Sequence, residues 1–305
     1  MTNNLKSLAL VLLMTLSACN APKDEISRIK SLTSKNYTGK KYYFGWGHAD
    51  KNDPENMQNE TKYDVLHTHE IFTKGLGGKY DGTKLVGGGS TPAIISAFSQ
   101  IKSVIRPEDM YVQYSSGHGF EGGLQFGGTY SEIAERILSL PAKEIIVFTM
   151  ACHSGGLVDK INQNKALWSD LKSKGRTLYV MSSSKVSQTS STGPDQLSEG
   201  PYGSAGSAFG HSLWKALLGE ADGSYDGVKD GFIDLGEVET YVKKRTKELG
   251  GHDPVTTGSY NPGLIMNRVP RSTDSLSYQD QGTTSSSDDE LKAMIQSEDI
   301  LADNL

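Results

Sequence analysis

Asp109-Met-Tyr-Val-Gln-Tyr-Ser-Ser116 runs into Gly117-His118-Gly119, and Glu144-Ile-Ile-Val-Phe-Thr-Met150 runs into Ala151-Cys152-His153-Ser154-Gly155-Gly156. Each run is rich in β-branched, aromatic and apolar residues and reads as a buried strand. Each stops abruptly in small residues and glycine around one reactive side chain. Between them, Tyr130, Ile133, Ala134, Ile137 and Leu138 recur at helical spacing, so Thr129 to Leu140 reads as an amphipathic helix. Thr129 and Glu132 form a capping box at its start. Strand, helix, strand implies a parallel crossover. The spacing therefore predicts an open α/β sheet with His118 and Cys152 at the carboxyl ends of parallel strands, where such sheets place their sites.

Outward from this centre, the same patterns recur. Lys41-Tyr-Tyr-Phe-Gly-Trp46 reads as a first strand, and Thr83 to Gly88, closed by Gly87-Gly88-Gly89, as a second. Tyr63 to Leu76 fits a helix. Thr91-Pro92 opens another, with threonine as cap and proline in the first turn, where a missing N–H costs nothing. Gly156 to Lys174 is helical in pattern, and Thr177 to Ser182 is a further buried strand. Phe120 to Gly128 suggests a small glycine-rich hairpin. Ser183 to Gly206 is a long loop of Ser, Thr, Gly and Pro, which after a central strand suggests a substrate-binding wall. Phe209, Leu213 and Leu217 mark a helix, Asp234 and Glu237 cap another, and Gly263 to Met266 reads as a sixth strand. These readings give six strands in an open, mostly parallel α/β sheet.

The flanks differ in character. Residues 1–18 join a lysine-bearing start to a short apolar run, too short for a mature membrane span, and read as a signal peptide. Leu16-Ser17-Ala18-Cys19 resembles the lipobox of bacterial lipoproteins. That resemblance implies cleavage before Cys19, lipid on Cys19, a polar tether over 19–40, and a place in the cell envelope; Asn20 favours the outer membrane. A domain then spans 41–270, and 271–305 is a polar tail of disordered composition, with a short helical stretch at Asp289 to Ser297. The 305 residues carry a formal net charge of −5 with mixed signs and no basic stripe, which gives no indication of nucleic acid as a partner. Of two cysteines, Cys19 and Cys152, lipidation of the first leaves Cys152 as a lone thiol in an oxidising place, which suggests that its reactivity is wanted.

The chemistry follows from strand spacing. Adjacent strands lie about 4.8 Å apart, so side chains leaving neighbouring strand ends face each other. An imidazole can then take a proton from a thiol. Backbone N–H groups of Gly119 and Cys152 can hold an oxyanion during acyl transfer, and a helix start just after Cys152 favours negative charge there.

Ser116-Gly117-His118-Gly119 together with Ala151-Cys152-His153-Ser154-Gly155 resembles the paired signatures of caspase-like cysteine peptidases, metacaspases above all, over about Lys41 to Val269. The resemblance implies a six-stranded caspase-like fold with helices on both faces, hydrolysis of peptides or proteins through a Cys152 thioester, His118 as general base and acid, and no required cofactor. The family uses a dyad, so no third acid is assigned. Metacaspases carry an aspartate two positions before the nucleophile that selects Arg or Lys at P1; here that position is Met150. Either Asp50, after the first strand, substitutes, or a pocket of Met150, Ser182, Ser183 and Ser184 takes neutral or small polar residues. A non-catalytic binding protein on the same scaffold is the alternative.

Other groups carry weaker patterns. His153 alternates away from Cys152 and reads as structural. His67 and His69, two apart in a polar stretch, fit either solvated rings or a metal pair that lacks a third ligand. No partner is evident for His211 or His252. Asp226-Gly-Val-Lys-Asp230-Gly-Phe-Ile-Asp234-Leu-Gly-Glu237 resembles an EF-hand-type calcium loop, with acids at positions 1, 5, 9 and 12 and Val228 at position 3. Asp222 lies just upstream. The other reading is an acidic loop that caps the next helix.

Overall fold

A computed structural model describes residues 39–50, 52–74, 80–86, 90–190 and 206–269. The signal peptide, Cys19, most of the tether, Gly87-Gly88-Gly89, residues 191–205 of the long loop and the polar tail lie outside these residues. Among the described residues no helix is long and apolar enough to cross a bilayer.

The main sheet is built from β1 (Lys41–His48), β2 (Asp81–Val86), β3 (Met110–Gly117), β7 (Glu144–Met150), β8 (Thr177–Ser182) and β10 (Val255–Ser259). Their spatial order is β10-β8-β7-β3-β1-β2. Five of the six run parallel, and β10 joins the β8 edge antiparallel. The three two-residue strands β4 (Gly119–Phe120), β5 (Gly123–Leu124) and β6 (Gly128–Thr129) form the small sheet expected from the glycine-rich segment.

Side-chain alternation divides the core in two. From β1 and β7, Tyr42, Phe44, Trp46, Ile145 and Val147 face one side. They pack there on α2 (Thr91–Val104), α3 (Tyr130–Leu138), α4 (Gly155–Gln163) and α5 (Lys165–Ser173). Tyr43, Ile146, Phe148 and Met150 face the other. They pack there on α1 (Glu55–Lys74), α6 (Ala208–Lys215) and α7 (Leu235–Gly250). Both faces are thus covered, which is why every residue of β7 is buried.

Local chemistry sets the helix ends. Thr129 and Glu132 close the predicted capping box on α3, and Asp234 and Glu237 close a second on α7. Ser90, not Thr91, caps α2; its hydroxyl accepts from the N–H of Ala93, and Thr91 is already the first helical residue beside Pro92. The region 156–174 is two helices broken at Asn164 rather than one.

The sixth strand is the main departure. Ile265–Arg268 (β11) does not enter the main sheet; it pairs antiparallel with β9 (Phe232–Asp234). The sixth position belongs to Val255-Thr-Thr-Gly-Ser259, a half-exposed edge with little apolar signal. At Gly258 a side chain would meet the carbonyl oxygen of Leu178 at 2.2 Å, so only glycine allows that approach to β8.

Candidate active site

The chain passes from β1 outward to β2, then returns across β1 to β3, β7 and β8. The order reverses at β1, so the loops after β1 and β3 diverge from adjacent strand ends. The loop after β1 carries Asp50 and Asp53, that after β3 carries His118, and that after β7 carries Cys152. Ser116 and Met150 are register partners on β3 and β7. His118 and Cys152 each follow two residues later, in the turns that leave these neighbouring strands. Gly119 locks this proximity: a Cβ there would lie 2.1 Å from the carbonyl oxygen of Cys152, so the two turns touch backbone to backbone.

Asp53 completes a contact that sequence reading missed. Its Oδ2 lies 2.9 Å from His118 Nε2. A carboxylate only accepts, so Nε2 carries the proton and Nδ1 holds the free lone pair, the basic position of the ring. The same Oδ2 accepts the N–H of Asp50 at 2.6 Å. Asp50 in turn accepts from the backbone N–H and side-chain amide of Asn52, both at 2.9 Å. Asp50, expected as a pocket acid, therefore shapes the turn that presents Asp53. The one available signal was Asp-Lys-Asn-Asp-Pro over 50–54, a polar loop at the same end of the sheet.

The serines after β8 are also placed differently from expectation. Ser182, Ser183 and Ser184 are fully buried and face no open pocket. Met150 is 7% exposed and lies in the core beneath α1 and α6. Strand alternation turns Met150 inward, and the serines lie against the turn that carries Cys152. The Ser183 N–H extends the β7 ladder by donating to the Thr149 carbonyl at 2.9 Å. The carbonyl of Ala151 accepts from the hydroxyls of Ser190 (2.8 Å) and Ser184 (3.1 Å), and the Ser183 hydroxyl lies 3.2 Å from it. Ser154 Oγ lies 3.2 Å from Ser183 Oγ and 3.4 Å from Ser184 Oγ. The Cys152 thiol is half-buried and donates to the Ser190 carbonyl at 3.9 Å.

His153 is structural, as its alternation suggests. Among the described residues it is the only non-glycine with positive φ, at 58°. Its N–H donates to the Gln188 carbonyl and its Nδ1 to the Val186 carbonyl, each at 2.8 Å. Lys185 and Gln188 are fastened in turn to Asp253 at 2.9 and 3.3 Å. The turn that follows Cys152 is thereby tied to the loop that carries Ser190. Tyr130 adds a donor to the Cys152 carbonyl at 3.5 Å, and burial holds its phenol above the ordinary value, in the neutral donating form.

A second buried carboxylate supports the same strand end. Asp64 on α1 is 1% exposed. Its Oδ2 accepts from Tyr114, Ser116 and Ser207 hydroxyls at 2.9, 2.8 and 2.7 Å, and its Oδ1 accepts the Ser207 N–H at 2.8 Å. Asp64 thus joins the strand leading to His118 to the cap of α6. Burial pushes its carboxyl up despite those four donors.

Of the remaining histidines, His67, His211 and His252 are buried, while His48 and His69 are partly exposed. His67 is buried and stacks on Trp214 at 4.8 Å. His211 is buried, and His252 donates through Nδ1 to the Ser183 carbonyl at 2.6 Å.

The calcium-type loop does not gather its acids. Asp234 and Glu237 spend their oxygens on the capping box, and Glu237 also accepts from the N–H of Gly223. Asp226 and Asp230 each accept the N–H two residues ahead, from Val228 and Phe232. Asp222 holds the N–H groups of Asp230 and Gly231. Among the described residues no group of three or more His, Cys, Asp or Glu is arranged to hold a metal ion. These hydrogen bonds make the segment a helix-capping turn, the other reading that its sequence offered.

No family model matches the chain, and no curated protein matches it. Among solved structures, the chain is similar to the crystal structure of caspase-1 from Spodoptera frugiperda. The TM-score is 0.49 and the identity 12%, over 78% of this chain and 93% of that one.

Proposed function

We propose that this chain is a caspase-like cysteine endopeptidase acting on peptide or protein substrates. The observation that carries the reading is the contact between the turns that hold His118 and Cys152: a Cβ on Gly119, beside His118, would lie 2.1 Å from the carbonyl oxygen of Cys152. Asp53 on the far nitrogen of the imidazole supports it. His118 Nδ1 takes the thiol proton of Cys152, and the sulfur attacks the substrate carbonyl. The N–H groups of Gly119 and Cys152 hold the resulting oxyanion. His118 returns the proton to the departing amine, which leaves a thioester on Cys152. Water, deprotonated by His118, then hydrolyses the thioester and restores the thiol. Every step uses side chains and backbone of this chain. In the same reading, Cys19 carries lipid and anchors the domain in the bacterial cell envelope through residues 19–40.

The test is a positional-scanning peptide library with the purified chain and with Cys152→Ala. Cleavage by the first and none by the second, at equal thermal stability, is the expected result. Equal cleavage by both would sink the reading. Absence of cleavage by either would favour a binding role on the same scaffold. Metabolic labelling with a fatty acid, lost in Cys19→Ala, tests the anchor.

A further inference from the structure

We propose that Ser183, Ser184 and Ser190 are positioning residues that strengthen the oxyanion-binding N–H of Cys152 through the peptide bond it shares with Ala151. This rests on the peptidase reading above. The carbonyl of Ala151 and the N–H of Cys152 are two ends of one resonant amide. Donors at its oxygen draw electron density from the nitrogen and leave the N–H more positive, the cooperative polarisation of hydrogen-bonded chains.

Proton counting gives the network a direction. Each serine hydroxyl donates one proton and accepts at two lone pairs. Ser190 lies 2.8 Å and Ser184 3.1 Å from the Ala151 oxygen, and together they fill its two lone pairs. Ser183 Oγ is 2.6 Å from Ser190 Oγ and gives its proton there. It accepts in return from the Ala151 N–H at 3.2 Å. Ser154 donates into the same group from 3.2 Å. The chain Ser154 to Ser183 to Ser190 to Ala151 then runs one way, with each hydroxyl polarised by the one before. A further N–H, from Ser154, lies at 3.4 Å. This carbonyl adjoins the amide at which negative charge would develop.

Three readouts on the full chain test this. Peptide hydrolysis and inhibition by a peptide aldehyde both place an oxyanion against the Cys152 N–H. Alkylation by iodoacetamide does not; it needs an accessible thiolate and forms no oxyanion. Ser184→Ala and Ser190→Ala should each lower kcat about tenfold with little change in KM, and weaken aldehyde binding by a similar factor. Alkylation at Cys152, read by mass spectrometry, should stay within about twofold of wild type. Ser190→Thr keeps the hydroxyl and should stay close to wild type. A fall in alkylation in step with kcat would overturn the inference, because the serines would then only hold the turn in place. Unchanged kcat in both alanine variants beside an active wild type would overturn it alone. A wild-type chain that cleaves no peptide would remove the peptidase reading, and this inference with it.

Discussion

Asp53 Oδ2 sits 2.9 Å from His118 Nε2 across the loops that leave β1 and β3. The contact fixes the ring tautomer and its rotation, leaving Nδ1 as the basic nitrogen. It is part of a chain in which Asn52 braces Asp50, Asp50 braces Asp53, and Asp53 orients His118.

Removing that carboxylate should therefore slow chemistry more than binding. Asp53→Ala is expected to lower kcat about tenfold to a hundredfold with KM nearly unchanged. Asp53→Asn keeps an acceptor facing both donors and should retain more activity than alanine. Steady-state kinetics on the two variants decide this; equal activity of Asp53→Ala and wild type would remove Asp53 from the mechanism.

Gly119 is set by steric contact with the turn that carries Cys152. An added Cβ would lie 2.1 Å from the Cys152 carbonyl oxygen and 2.9 Å from the Ala151 Cβ. Gly119→Ala must push the two turns apart and should cost about a hundredfold in kcat/KM. Thermal unfolding should change far less, since the rest of the sheet is untouched. Wild-type kinetics in this variant would mean that the two turns do not need to touch.

Asp64 is pushed above its ordinary 3.8 by burial, although four hydrogen bonds pull the other way. A carboxyl raised in the folded state favours folding below its unfolded value. That contribution is lost as pH rises through the folded value. Asp64→Asn keeps an acceptor for the Ser207 N–H and should remove this loss. Its thermal midpoint should gain on wild type as pH climbs from 4 towards 7. Asp64→Ala strands four donors and should cost about 2–4 kcal/mol near pH 4, and less as pH rises. Parallel pH profiles for wild type and Asp64→Asn would contradict the assignment.

His67 has the opposite sign. Burial first, and then the nearby charge of His211, bring it from 6.5 down to about 3. The unfolded chain takes up the proton first, so the contribution is complete above pH 6.5 and lost as pH falls towards 3. His67→Phe keeps an aromatic ring on Trp214, stacked at 4.8 Å, and does not charge. Chemical denaturation at pH 7 and pH 4.5 should show a smaller loss in the variant, by about 2 kcal/mol. An equal loss in both proteins would show that another group controls acid stability.

The sequence by itself determined the sheet's centre. The apolar runs that became β3 and β7, the crossover helix between them and the small residues that end each strand are local patterns, and they brought His118 and Cys152 to one edge. The capping boxes at Thr129 and Asp234 were readable for the same reason, since a cap involves residues three apart. Tertiary structure decided what surrounds the pair. Asp53, Asp64, His67 and the serines after β8 are polar in sequence whether they face water or a buried partner, and only chain crossing reveals which. The edge strand Val255–Ser259 carries little apolar signal, while the more apolar Ile265–Arg268 finds its partner in β9, outside the main sheet. The acids of the calcium-type loop have the spacing of ligands, and only the folded turn shows that they also accept backbone N–H groups. Periodicity is a property of neighbours along the chain, whereas a polar group's partner is set by which distant segments the fold brings together.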